Sequence, residues 1–223
     1  MTKAKSKARS LTSSQIKKLL SRCLLMQNAE LKRVVFALSF STLRVSELAQ
    51  ITVGDVLTPT GEIKNEIHLR ASLCKRRKSR SIWLGKLAQQ MIQEWIDYRK
   101  LREWATTFDN TYQGLNPRSK LVLNNRGRSY SMKRKTRVNQ TGDSIDYSAC
   151  DVLELMIRNT YQRAGFKGCS SHSGRRSYGT NMNIQGIDLI VIQRALGHSE
   201  PSMTLEYIDV SGCQLSKTAE MAF

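Results

Sequence analysis

The sequence predicts an α+β fold, mainly helical with one small antiparallel sheet. Apolar residues recur at helical spacing through most of the chain, and two short β-like runs, 66–69 and 81–84, flank a basic turn. Hydrophobic residues make up 40% of 223, enough apolar material for one packed core.

Each element has its own local signal. Residues 1–10 (MTKAKSKARS) read as a disordered basic arm. Thr12, Ser13 and Ser14 then offer caps ahead of Ile16, Leu19 and Leu20, which repeat at helical spacing. A second helix is predicted from about Ala29 to Phe40 and a third from about Ser46 to Ile51. Gly54-Asp55 and Pro59-Thr60-Gly61 punctuate a turn region before the strand-like Glu66-Ile67-His68-Leu69. The chain returns through Ser81-Ile82-Trp83-Leu84, so residues 74–80 span the tip of a hairpin. Leu87, Met91, Ile92, Trp95, Ile96 and Leu101 pattern a long helix over 87–104. From 105 to 146 the chain reads as loop-rich and basic, with one apolar run at Leu121-Val122-Leu123. Helices resume at about 148–163, 174–183, 187–196 and 201–208. The organisation expected is a basic arm over 1–10, one domain over 11–210 and a tail over 211–223 long enough to dock on a neighbouring protomer, the alternatives being a frayed end or an intramolecular cap.

Several function classes are excluded by composition. No segment approaches the roughly 20 apolar residues of a bilayer-spanning helix, so no membrane role is expected. Five cysteines, an odd number without a C-x-x-C pair, imply neither a disulfide framework nor a zinc ribbon. No carboxylate cluster suits a pair of metal ions and no G-x-x-x-x-G-K-[ST] loop is present, so no metal and no other cofactor is expected.

The formal net charge is +18, from 36 Lys+Arg against 18 Asp+Glu, and its distribution is more informative than its sum. No acid precedes Glu30. Between Glu66 and Glu94 lie Arg70, Lys75, Arg76, Arg77, Lys78, Arg80 and Lys86 with no acid among them. A further block, with Arg118, Lys120, Arg126, Arg128, Lys133, Arg134, Lys135 and Arg137, fills the acid-free stretch between Asp109 and Asp143. One such run is usually a solvated face; three that folding can gather onto one surface make a groove that tracks phosphates. Lys75, Arg76, Arg77, Arg80, Arg126, Arg128, Lys133, Arg134 and Lys135 are therefore the expected contacts to a nucleic-acid backbone.

The chemistry concentrates around the histidines, of which there are three. His172 and Arg175 stand three apart, on one face of a helix start, where both could meet one phosphate. An H-x-x-R pair alone is commonly surface decoration. Arg44, with Glu47 three residues on, sits in an otherwise apolar helical segment, where a guanidinium needs an anionic partner, either Glu47 itself or an external one. His198 follows Leu196-Gly197, whose glycine would end a helix, and Tyr207 lies nine residues further on, in a helix where a tyrosine ordinarily just packs.

The ordered series T-L-R-V-S-E-L, K-R-R-K-S-R-S-I-W-L, H-S-G-R-R, L-G-H and T-L-E-Y resembles the tyrosine recombinase (phage integrase) family, over roughly residues 11–210, its catalytic domain. The resemblance implies the fold of that domain and a site-specific recombinase that cleaves and rejoins DNA for integration, excision or inversion. It makes Tyr207 the nucleophile that forms a 3′-phosphotyrosine, and Arg44 and Arg175 the phosphate-holding arginines. His172 would assist proton transfer, His198 would bond the phosphate, and Lys78 would protonate the leaving 5′-oxygen, with Lys75 its nearest rival. Glu47 would support the site from behind. The partners implied are double-stranded DNA and a homotetramer assembled on it, with or without an accessory protein or second recombinase; the location implied is the cytoplasm, at the nucleoid, for a bacterial or phage-encoded protein.

That cast suits phosphoryl transfer, which depends on fixed positive donors and in-line positioning. Because free phenols titrate near pH ~10, a tyrosine nucleophile needs a neighbouring base or cationic field. A non-catalytic DNA-binding regulator on the same scaffold and a type IB topoisomerase are the competing readings. Thr42 stands where glycine commonly precedes Leu-Arg, and Gly174 where leucine often precedes the arginine. Residues 105–118 and 132–146 look like insertions. Ten basic-arm residues precede the match where family members commonly carry a core-binding domain, so the chain is similar to minimal single-domain recombinases.

Overall fold

Thr12 starts the first helix, α1 (Ser13–Leu24), with a reciprocal cap: its hydroxyl accepts the Gln15 N–H and the Gln15 side chain accepts the Thr12 N–H at 3.0 Å. The computed structural model describes residues 7–74, 78–138 and 142–210, with 216 and 220. Helix α1 buries Leu19, Leu20 and Cys23 against α2 (Ala29–Phe40). Val34, Val35, Phe36 and Leu38 of α2 have no exposed surface, and such all-round apolarity marks a central helix. Around α2 pack α5 (Lys86–Leu101), α6 (Asp151–Arg163) and α7 (Ser173–Ile184).

Between α2 and α5 the chain makes two one-turn helices, α3 (Val45–Leu48) and α4 (Val53–Val56), then the antiparallel strands β1 (Glu66–Leu69) and β2 (Arg80–Trp83). Ile67 faces Ile82 across this hairpin, and both reach the core. Where a turn was expected at 54–55, the Thr52 hydroxyl accepts the Asp55 N–H and the Asp55 carboxylate accepts the Thr52 N–H, a reciprocal cap that opens α4. That Thr-x-x-Asp pattern was the available signal.

Helix α5 ends at Leu101, short of the expected Trp104, because Glu103 and Ala105 take left-handed φ of 55° and 53°. The buried Arg99 pins this corner by donating to the carbonyls of Lys120, Leu121 and Trp104. Burial pushes its guanidinium down to about 10, still charged at neutral pH. The run Leu121-Val122-Leu123 is fully inside, held by Trp95 Nε1 donating to the Leu121 carbonyl at 2.7 Å.

The larger departure lies in the basic region read as loop. Lys133–Val138 (β3) and Ser144–Ala149 (β4) form a second antiparallel hairpin, separate from the first and exposed on both faces. The fold is thus mainly helical, as expected, with two small antiparallel sheets rather than one. After α7 come α8 (Leu189–Leu196) and α9 (Pro201–Leu205). The end of the arm is also not free: Arg9 N–H donates to the Gly168 carbonyl at 3.0 Å and Ser10 Oγ to Asp209 at 2.6 Å. Residues 1–6 and most of the tail lie outside the described residues. Among the described residues no helix is long and apolar enough to cross a membrane.

Candidate active site

The site grows from one buried carboxylate. Arg44 is the N-cap of α3 in extended backbone, and Glu47, at the third helical position, accepts its N–H at 2.8 Å and its Nη1 at 2.9 Å. Glu47 has no exposed surface, and its second oxygen takes Arg80 Nη2 from β2 at 2.7 Å. Burial alone would raise this carboxyl, but Arg80, Arg44, the Arg44 N–H and Arg175 outweigh it and hold the pKa below the usual value. Glu47 is therefore an anion clamped between two arginines.

Arg80 departs from the DNA-facing position expected of it. Its side chain is 8% exposed, and besides Glu47 it donates to the Thr42 carbonyl at 2.9 Å and the Thr42 hydroxyl at 3.2 Å. Its ion-pair partner lies 33 residues away in sequence, which no local pattern reveals. Thr42 itself sits at φ 75°, a left-handed backbone uncommon for a β-branched residue and the reason a glycine suits this position. Its hydroxyl offsets the strain by donating to the Ala195 carbonyl at 3.1 Å, tying the α2–α3 corner to α8.

Arg175 is delivered by an unusually close helix contact. A Cβ at Gly174 would lie 2.2 Å from Ser39 Oγ and 2.7 Å from the Ser39 carbonyl oxygen, so only glycine lets α7 approach α2 here. The Arg175 guanidinium, 1% exposed, donates to the Thr42 carbonyl and the Leu196 carbonyl, each at 2.5 Å. Burial first, then Arg44 and Arg80, press its pKa down to about 9, so it remains a cation at pH 7.

Helix α8 stops at Gly197, whose left-handed φ of 61° turns the chain so that His198 faces back into this cluster. His198 Nε2 lies 3.0 Å from Arg175 Nη2, and its Nδ1 lies 3.0 Å from Thr204 Oγ1. Arginine can only donate, so Nε2 must be the acceptor and Nδ1 carries the hydrogen toward Thr204. Burial, then Arg175, Arg44 and Arg80, lower His198 to about 3. The unfolded ring takes a proton below about 6.5. The folded ring does not, so this stabilisation is complete above that pH and is lost as pH falls toward the folded value. Nitrogen-15 NMR of the DNA-free protein at pH 6 is expected to find His198 neutral, with Nδ1 protonated and Nε2 bare. A doubly protonated ring, or hydrogen on Nε2, would refute this assignment.

Tyr207 follows α9 and lays its ring over the cluster. Its centroid is 4.8 Å from that of His198, and Arg175 Cζ stands 5.7 Å from it, within cation–π range. Its Oη reaches to 3.5 Å from Nδ1 of His172, the exposed N-cap residue of α7, at the outer edge of hydrogen bonding. Arg44, Glu47, His172, Arg175, His198 and Tyr207, expected together, thus share one site. Lys78 is exposed, two residues before β2; Lys75, Arg76 and Arg77 lie outside the described residues.

Arg126 and Arg128 are exposed in the turn after Leu123, and Lys133, Arg134 and Lys135 stand on β3. Arg134 pairs with Asp146 at 2.6 Å and Lys135 with Asp151 at 2.5 Å, so part of this charge is matched internally. Thr42 and Thr204 are the site residues that sequence reasoning missed. The unusual threonine before Leu-Arg hinted at the first, and the second stands at the head of T-L-E-Y, where only the tyrosine was given a role.

The phage integrase family model matches residues 9–212. Tyrosine recombinase XerC of Pelobacter propionicus is 28% identical over 191 residues, 86% of this chain and 51% of the relative, so the chain spans about half the length of the relatives it matches. Among solved structures, XerA recombinase superposes with a TM-score of 0.68 at 18% identity, covering 97% of this chain and 66% of that one. The Tn1549 transposon integrase in complex with transposon right end DNA gives 0.64 at 20% identity, covering 100% and 68%. With the arginines, histidines and tyrosine in family order and in one place, and the match running nearly end to end, this chain belongs to the phage integrase family of tyrosine recombinases.

Proposed function

We propose that this chain is a site-specific DNA recombinase that breaks and rejoins strands through a covalent link to Tyr207. The observation that carries this reading is the Tyr207 ring lying against Arg175 and His198 with its Oη turned to His172. In cleavage the Tyr207 Oη–P bond forms as the P–O5′ bond breaks, leaving a 3′-phosphotyrosine. His172 Nδ1 takes the phenol proton, and Lys78 gives one to the departing 5′-oxygen. Arg44, 24% exposed, meets the phosphate first. Arg175 lies beneath the tyrosine ring, so the ring must shift as the phosphate seats, and both guanidiniums then neutralise the equatorial oxygens. Religation reverses these steps with no external energy source, because the broken bond is conserved in the phosphotyrosine. A complete set of catalytic side chains argues against a purely regulatory role.

The substrate is duplex DNA. Lys133, Arg126 and Arg128 supply exposed backbone contacts, Arg134 and Lys135 join them by exchanging carboxylates for phosphates, and four protomers assemble on the DNA in the cytoplasm. The Tn1549 transposon integrase seen in complex with DNA supports duplex DNA as the substrate, and relatives named as recombinases support integration, excision or inversion as the outcome.

The test is covalent capture. A library of nicked duplexes with randomised cores is incubated with the protein, washed in denaturant, and the DNA that remains attached is sequenced. Recovery of one core sequence is expected; a protein that retains DNA only before denaturation is a binder. On the recovered duplex, Lys78→Ala should slow cleavage by about 10²-fold or more while duplex affinity stays close to wild type. If Lys75→Ala does so instead, the general acid is Lys75.

A further inference from the structure

Helix α7 carries a second buried arginine directly after Arg175. Arg176 is 6% exposed and donates to the Glu206 carbonyl and to Asp209 Oδ1. One turn on, Thr180 Oγ1 donates to the Tyr207 carbonyl at 3.3 Å and accepts the Asp209 N–H at 3.1 Å. Between them, a Cβ at Gly179 would lie 3.4 Å from the Tyr207 carbonyl oxygen, so the chain runs close against the helix. Positions 176, 179 and 180 share one face of α7, and the backbone on both sides of the nucleophile is tied to that face.

The other contacts of this segment include the His198–Thr204 hydrogen bond, the Tyr207 ring on His198 and Arg175, and the packing of α9 on α8. Helix α9 has five residues, Thr204 is its buried one, and Leu205 and Val210 are more than half exposed. A segment with so few buried apolar contacts depends on its polar ones for position. The remaining Asp209 oxygen, Oδ2, accepts Ser10 Oγ at 2.6 Å. The N-terminal segment runs along the same helix: Leu11 N–H donates to Ser177 Oγ at 2.8 Å, and Asn181 Nδ2 donates to the Leu11 carbonyl at 3.0 Å.

We propose that Arg176, Thr180 and Asp209 are positioning residues for Tyr207, a seat that docks the nucleophile segment on its own protomer's α7, with Ser10 bracing Asp209 from the N-terminal side. The seat sets where the phenol stands without touching the phosphate. Its catalytic consequence rests on the DNA-cleavage reading above; the docking itself does not. Asp209 is the residue to change, since it is partly exposed and outside the core.

Asp209→Ala should lower single-turnover cleavage of the captured nicked duplex by about 10- to 100-fold, the range a displaced reacting group loses, with duplex affinity unchanged. Asp209→Asn, which keeps one oxygen for Arg176, should recover part of the rate. A duplex with sulfur in place of the bridging 5′-oxygen needs no general acid, so it should rescue Lys78→Ala and leave Asp209→Ala slow. In the DNA-free protein, hydrogen exchange of the Asp209 amide should speed up in Asp209→Ala. Cleavage at the wild-type rate, rescue by the sulfur substrate, or unchanged exchange would overturn the proposal. If the wild-type protein forms no adduct with any duplex, the DNA-cleavage reading fails and the exchange result alone decides whether the seat exists.

Discussion

Tyr207→Phe is expected to abolish the denaturant-resistant protein–DNA adduct while leaving duplex binding intact. The substitution removes one oxygen and keeps the ring that lies 4.8 Å from His198 and covers Arg175. The cationic cluster beneath is therefore undisturbed, and the loss reads the chemistry alone. Tyr207→Ala also ends cleavage but uncovers Arg175 and gives up its cation–π contact. It should bind the scissile phosphate differently from Tyr207→Phe, measured as affinity for the same duplex. An adduct of unchanged yield in Tyr207→Phe would remove Tyr207 from the mechanism.

Glu47→Ala should produce the largest stability loss. The carboxylate is fully buried and holds Arg44 at 2.9 Å and Arg80 at 2.7 Å, with Arg175 in electrostatic range. Removing it leaves crowded guanidiniums without their anion, a change that costs about 3–5 kcal/mol for a buried pair. For a chain of this length that lowers the midpoint of thermal unfolding by roughly 10 °C. Because the folded carboxyl titrates below its ordinary value, this stabilisation is present above about pH 4.5 and is lost as pH falls through the folded value. The gap between wild type and variant should accordingly narrow in acid, followed by denaturant melts at pH 7 and pH 3.5. Glu47→Gln keeps the hydrogen-bonding shape without the charge and should fall between them. A variant as stable as wild type would mean that Glu47 is not the site's keystone.

What the sequence made legible follows from where each signal resides. Arg44 with Glu47, His172 with Arg175, and Gly197-His198 before Tyr207 are local spacings that a helix start or helix end converts directly into geometry, and the structure brings all six candidate side chains together. Arg80 could not be read that way. Within the basic hairpin it looks like its neighbours, and only the approach of β2 to α3 gives it Glu47. The β3–β4 hairpin was hidden for another reason: Lys133–Val138 is polar on both faces, so it lacks the apolar alternation that betrays a strand. Gly174 ran against the usual leucine and became intelligible only once Ser39 was found behind it.

Tyr207, its ring against Arg175 and His198 and its Oη turned to His172, is expected to become covalently joined to DNA. Digesting the captured adduct with nuclease and protease and locating the remaining nucleotide by mass spectrometry tests it most directly. A 3′-phosphonucleotide is expected on the phenolic oxygen of Tyr207; the same mass on Tyr178 or any other residue, or no modified peptide at all, would rule Tyr207 out as the nucleophile.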